Sequence, residues 1–175
     1  MSDPVSADSD GDDPAAVYAA AKKVVYDRLA ERPRSRSDLE QALAKRRVPA
    51  EIATQVLDRF ESAGLIDDAA FARSWIEGRQ RGKGLASRAL AMELRQKGID
   101  DEIAREALAE IDPDAERQAA HRLVQGKLRA TSGLDLQVRT RRLVGMLARK
   151  GYSPGLAYDV VRAELGAEVD PIESM

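Results

Sequence analysis

Apolar residues recur along most of this chain at spacings of three and four, the mark of helices that each bury one face. No stretch alternates apolar and polar residues as a half-buried strand would. Start and stop signals divide the pattern into nine expected helices. The first has Asp13 as N-cap and Pro14 behind it, and runs through Val17, Val24, Val25 and Leu29 to Arg32 and the break at Pro33. The second begins at the capping box Ser37 to Glu40 and ends near Arg47. The third starts at Pro49, turns Ile52, Val56, Leu57 and Phe60 inward and stops at Gly64. The fourth, capped by Asp67, carries Phe71, Ala72, Trp75 and Ile76 on one arc and ends at Gly82. The fifth spans Ser87 to Gly98 and the sixth Asp100 to Asp112; the seventh runs from Asp112 and Pro113 to about Arg129. The eighth covers about Asp135 to Gly151, and the ninth Ser153 and Pro154 to about Leu165.

Three helices followed by three more of the same layout suggest a repeat, and sliding the chain on itself finds one. Leu39, Leu43, Val48, Ile52, Val56 and Leu57 fall on Leu90, Leu94, Ile99, Ile103, Ala107 and Leu108 at a shift of 51. A further shift of 53 brings them onto Leu143, Leu147, Tyr152, Leu156, Val160 and Val161. Gly98 and Gly151 stand where a helix C-terminus needs a left-handed residue, but the first copy has Arg47 there and must either turn differently or bear the strain of positive φ. The expected fold is all-α: an elongated, curved array of three tandem three-helix repeats resembling helix-turn-helix units, with a long concave binding face. The repeats should occupy residues 15–65, 66–112 and 113–165. They would be flanked by acidic tails at 1–14, expected to be disordered, and at 166–175.

Composition removes most chemistry. The 175 residues include no cysteine and one histidine, His121, which leaves no thiolate, disulfide or paired-imidazole metal site. No phosphate-binding G-x-x-x-x-G-K-[ST] loop occurs, and Gly82-Lys83-Gly84 lacks the third glycine of a dinucleotide loop. The pairs Asp67-Asp68 and Asp100-Asp101 stand at expected helix starts, where carboxylates cap orphan N–H groups. A binding protein without cofactor is therefore expected rather than an enzyme. With no apolar run of membrane-spanning length and an acidic N-terminus, the expected location is the cytoplasm.

Charge is segregated in blocks. Residues 73–97 carry seven bases and two acids, 100–116 one base and eight acids, and 117–150 nine bases and one acid. Such blocks favour a polyanionic partner or a protein with complementary blocks. In the fifth helix Arg88, Met92 and Arg95 form a stripe that no acid shares. In the eighth, Arg142, Met146 and Arg149 repeat the spacing, with Arg139 and Lys150 nearby. These two lines are the candidate contacts.

The stretch Gly64-Leu-Ile-Asp67-Asp68-Ala-Ala-Phe71-Ala72-Arg-Ser-Trp75-Ile-Glu-Gly-Arg79, followed by Lys83-Gly84 and by Glu93-Leu94-Arg95-Gln-Lys97-Gly98-Ile99, resembles the hallmark of the RecX family of RecA regulators. It looks most like the actinobacterial type. The resemblance implies a protein without catalytic activity that binds in the groove of the RecA–DNA filament and lowers its ATP hydrolysis and strand exchange. Arg79, Lys83 and Lys97, which lie in this stretch, join the contact candidates, although Arg79 could equally bond the carbonyls ending its own helix or an acid of the next; a monomer is expected, with non-specific single-stranded DNA contact by the fifth and eighth helices as a second partner. The chain departs from the pattern after Lys83-Gly84, where Leu85-Ala86-Ser87-Arg88 stands in place of a nearby proline. The rival reading is a helix-turn-helix-like protein acting on DNA directly. Against it, the sixth helix, which would enter the major groove, carries Asp101, Glu102, Glu106 and Glu110 beside one Arg105.

Overall fold

The computed structural model describes residues 13–169. Most of the acidic tail expected at 1–14 therefore lies outside the described residues, as do Asp170 and Glu173. The described residues form ten helices: α1 (Pro14–Glu31), α2 (Arg36–Lys45), α3 (Ala50–Ser62), α4 (Asp68–Lys83), α5 (Ser87–Gln96), α6 (Asp101–Ala109), α7 (Pro113–Gln125), α8 (Leu128–Thr131), α9 (Leu136–Arg149) and α10 (Pro154–Val169).

Three of the expected boundaries are corrected. The seventh helix does not run unbroken to Arg129: it ends at Gln125, and the single turn α8 follows it. Gly126 keeps a right-handed φ of −64°, so no glycine signal marks this break. The cause is distant in sequence, because the Arg139 guanidinium of α9 reaches the Leu128 carbonyl at 2.9 Å and the Thr131 hydroxyl at 3.0 Å. The cap of α2 is Ser35, not Ser37. Its buried hydroxyl accepts the Asp38 N–H at 3.1 Å, while the orphan N–H of Arg36 donates to Asp68 at 2.9 Å. Finally, α10 continues to Val169, so the last helix takes in the first residues of the segment expected to be a tail.

Three apolar cores correspond to the three repeats. The first gathers Ala21, Val25, Leu39, Leu43, Val56, Leu57 and Phe60. The second gathers Phe71, Ala72, Ile76, Leu90, Leu94 and Ile99, and the third Ala120, Val124, Leu143, Leu147, Tyr152, Val160 and Val161. All eighteen residues matched by the two shifts are buried or half-buried. The equivalent leucines Leu39, Leu90 and Leu143 are at most 1% exposed, as are Leu43, Leu94 and Leu147. Burying one such side chain is worth about 1.5–3 kcal/mol, which explains why this pattern is the loudest signal in the sequence.

The helix-ending turns close alike in all three copies. Val48, Ile99 and Tyr152 donate their N–H to the carbonyls of Leu43, Leu94 and Leu147 across a left-handed residue. That residue is Gly98 at φ 70° and Gly151 at φ 93°, and Arg47 takes the same conformation at φ 59°. Of the two alternatives open to the first repeat, it bears the strain.

By packing, the chain falls into two compact units, divided after Asp68. The first holds repeat one, where the Arg36 guanidinium ties α2 to Asp58 and Glu61 of α3. The second holds repeats two and three, joined through the loop between α4 and α5. There Ala86 donates its N–H to the Lys150 carbonyl at 2.8 Å, Lys150 Nζ donates to the Lys83 carbonyl at 2.7 Å, and the Tyr152 hydroxyl to the Gly84 carbonyl at 3.0 Å. Ala86, next to Ser87 at the start of α5, is itself part of the third core. The loop that departs from the family pattern is thus held by the following repeat.

Candidate interaction surfaces

The residues of the family-like stretch converge on one side chain, Trp75. Phe71 stacks on it with ring centroids 5.7 Å apart, the Arg79 guanidinium stands 4.4 Å from its ring centre, and Lys97 Nζ stands 5.0 Å from it. The indole N–H donates to Glu93 at 2.8 Å, and Arg79 Nε lies 2.8 Å from the same carboxylate oxygen without aiming its N–H at it. Two helical turns of α4 are thereby fastened to α5. Arg79 and Lys97, both among the expected contacts, hold this clamp in place, and each is partly buried.

Two further candidates are also engaged inside the fold. Arg139 is 9% exposed and binds the α8 turn, as described above. Lys150 bonds Lys83 across the repeat junction. A buried guanidinium that met a partner directly would first have to leave these acceptors unsatisfied, at a cost of several kcal/mol.

The remaining candidates stand at the surface. On α5, Arg88 is exposed, Met92 is 65% exposed and the Arg95 side chain is 79% exposed. The expectation that no acid answers this line needs one amendment, since Asp101 of α6 stands 3.6 Å from Arg95. An exposed pair at that distance is worth little. On α9, Arg142 and Arg149 are exposed, but Met146 packs against the third core and is not part of the surface line. Lys83 is exposed at the end of α4. Among the described residues, Arg88, Arg142, Arg149 and Lys83 have no ion-pair partner for their side chains.

α7 and α9 present more bases than the two expected contact lines contain. Arg117, Arg122 and Arg141 are exposed and also lack an ion-pair partner among the described residues. Their only signal was the excess of bases over 117–150. A stripe at spacings of four and seven selects bases on one face of one helix and passes over bases that neighbouring helices bring together.

The acids are mostly committed. Asp100, Asp112 and Asp135 cap α6, α7 and α9 through the N–H groups of Glu102, Asp114 and Gln137. Glu116 of α7 accepts both the N–H and the hydroxyl of Ser87, at 2.7 and 2.8 Å, and so caps α5 from the next repeat. His121 lies 2.6 Å from Glu164, which also accepts from Gln125, so the lone histidine belongs to the packing of α7 on α10. Tyr152 is pushed up from 10.0 to about 12, chiefly by burial and then by the Glu116 charge. It therefore stays a neutral donor to Gly84 throughout the physiological range.

Comparison with known proteins accounts for this arrangement. Family models match in chain order: the first three-helix domain of RecX over residues 21–60, the second over 67–108 and the third over 114–161. The regulatory protein RecX of Thermobifida fusca is 48% identical over 155 residues, covering 89% of this chain and 84% of that protein. Its Streptomyces coelicolor counterpart is 47% identical over 165 residues, covering 94% and 88%. The crystal structure of RecX from Lactobacillus salivarius shares the fold with a TM-score of 0.81 at 20% identity, covering 87% of this chain and 99% of that one. No described helix is long and apolar enough to cross a membrane. With all three domains present in order and close to half of the residues identical to those of actinobacterial relatives, the chain belongs to the RecX family of regulatory proteins.

Proposed function

We propose that this protein binds the RecA–DNA filament as a monomer in the cytoplasm and restrains its ATP hydrolysis and strand exchange, with no catalytic step of its own. The observation that carries this reading is the family match across all three repeats, in order and over most of the chain. The exposed bases of α5 and α9 agree with it. A filament offers a long, repeating, largely anionic surface, and guanidinium groups with no acid to answer them locally are suited to carboxylates or phosphates on it. Non-specific single-stranded DNA contact belongs to the same reading. The acid-rich α6 argues against base readout through the third helix of the second repeat.

The test is filament binding by paired variants. Arg88→Ala/Arg95→Ala and Arg142→Ala/Arg149→Ala should each weaken binding to RecA filaments on labelled single-stranded DNA, with stability changed by no more than about 0.5 kcal/mol, because these side chains are exposed. Wild-type affinity in both double variants would place the contact on another surface.

A further inference from the structure

Gly82-Lys83-Gly84, set aside above as a dinucleotide loop, lines a pocket of about 470 Å³ at the junction of repeats two and three. Its charged walls are Arg81 and Lys83 at the end of α4, Arg122 of α7 and Lys150 after α9, and no acid lines it among the described residues. We propose that this pocket is a binding site for the phosphate groups of a linear polyanion, recognised through the charge and hydrogen bonding of Lys83, Arg122 and Lys150.

The pocket is held in shape before any ligand arrives. Lys150 Nζ is anchored on the Lys83 carbonyl at 2.7 Å and keeps two further N–H donors. The Tyr152 hydroxyl fixes the Gly84 carbonyl at 3.0 Å. Gly84, at φ 63°, packs so closely on Leu123 that an added Cβ would meet it at 3.2 Å. Of the carbonyls at and just beyond the end of α4, those of Gln80, Lys83 and Gly84 each accept a hydrogen bond, so the repulsion an anion would meet from this helix end is left mainly to those of Arg81 and Gly82, against the bases that line the pocket. Lys83 and Arg122 are exposed and have no ion-pair partner among the described residues. The acids nearest in sequence are occupied, Glu77 with Arg81 and Glu116 with Ser87.

The shape selects the ligand class. Among the described residues no aromatic side chain lines the pocket to stack a base, so recognition would rest on phosphates. Gly82 has no protein atom within 4 Å of where a Cβ would sit and needs no positive φ, which leaves open space beside the α4 backbone. The larger groove of the first unit, about 1190 Å³, lacks this bias, because Asp27 and Glu31 line it beside its bases. Two sources carry consecutive phosphates: the backbone of a single-stranded nucleic acid and free linear polyphosphate.

The proposal does not depend on the filament reading, and its test contains no recombinase. The full chain and Lys83→Gln/Arg122→Gln are titrated with inorganic tripolyphosphate and, separately, with a fluorescent oligothymidylate. Arg105→Gln, an exposed residue of α6 outside the pocket, is the charge-loss control, and helical circular dichroism and thermal melting check folding. Loss of two charge-assisted bonds should weaken binding of at least one probe roughly tenfold or more in the double variant and leave the control unchanged. Lys83→Arg/Arg122→Lys, which keeps both charges, should retain most of the affinity. An effect on the oligonucleotide, with the slope of log affinity against log salt reduced by about 0.7 per phosphate lost, assigns the strand as the source. An effect confined to tripolyphosphate assigns free polyphosphate. Equal affinity of wild type and double variant for both probes, including no binding by either, would overturn the proposal whatever the protein does to a recombinase.

Discussion

After its second helix each repeat turns left-handed at one equivalent position, and the three copies do not all fill it alike. Arg47 accepts φ 59°, where a Cβ costs about 1–2 kcal/mol, whereas Gly98 and Gly151 carry no such penalty. Arg47→Gly should therefore raise stability by about 0.5–1 kcal/mol after the added chain entropy of glycine, read from the urea midpoint. Gly98→Ala should lower it by about 1–2 kcal/mol. Gly151→Ala should cost more, roughly 2–4 kcal/mol, because its Cβ would lie 2.4 Å from the Ala89 nitrogen of α5. Tyr152, beside Gly151, links stability to pH. Its hydroxyl titrates near 12 in the fold against 10.0 when unperturbed, so the stability it contributes is fully present below 10 and is lost as pH rises through about 12. Tyr152→Phe should cost about 1–2 kcal/mol at neutral pH by leaving the Gly84 carbonyl unanswered, and its deficit relative to wild type should shrink across that alkaline window. These three left-handed positions were legible in the sequence because glycine or its absence marks them, whereas the one at Gly84 was not, since Gly82 two residues earlier offers the same stop signal. The Tyr152 bond was not, since nothing local shows that an aromatic at this site reaches 68 residues back along the chain.

At the scale of helices, the apolar spacing located nine of the ten described elements, and boundaries failed where a distant side chain settles them. Two serines compete to cap α2, and Ser35 prevails because Asp68, far along the chain, satisfies the amide that follows it. The α7–α8 break depends on Arg139 in the same way. The start of α5 is a third case: Ala86 at its N-cap position has no side chain with which to cap, and Glu116 of the next repeat supplies the acceptor. Replacing Glu116 by Ala should cost about 1–2 kcal/mol and speed amide hydrogen exchange in the first turn of α5. The same change in a helix capped by its own residue would stay local. Here it should also loosen α7 from α5, so exchange should rise at both. The contact lines were legible in part. The α5 stripe is exposed as its spacing implied, but on α9 Met146 is drawn inward, and Arg139 beside that line is buried in the α8 turn.

For the chain as a whole, the threefold repeat is written in the sequence, because each repeat must bury the same leucines against its own helices. The different standing of the repeats is not written there. Repeats two and three share a junction of backbone groups, the Tyr152 hydroxyl, the Lys150 ammonium and the Glu116–Ser87 pair; the apolar pattern marks Tyr152 as core but carries no sign of where these polar groups reach. The family was legible through the stretch around Trp75, yet the structure gives much of that stretch the task of fastening α4 to α5. The bases left for a partner lie largely outside it, on α5, α7 and α9. Restraint of a recombinase filament by this regulator is tested most directly by ATP turnover of the matching RecA on single-stranded DNA as the full chain is titrated in. A DNA-only binding control separates filament binding from sequestration of the strand. If the filament is restrained, turnover should fall progressively and saturably, at concentrations where free DNA is not yet titrated. Unchanged turnover at saturating protein, with filaments of normal length, would contradict it.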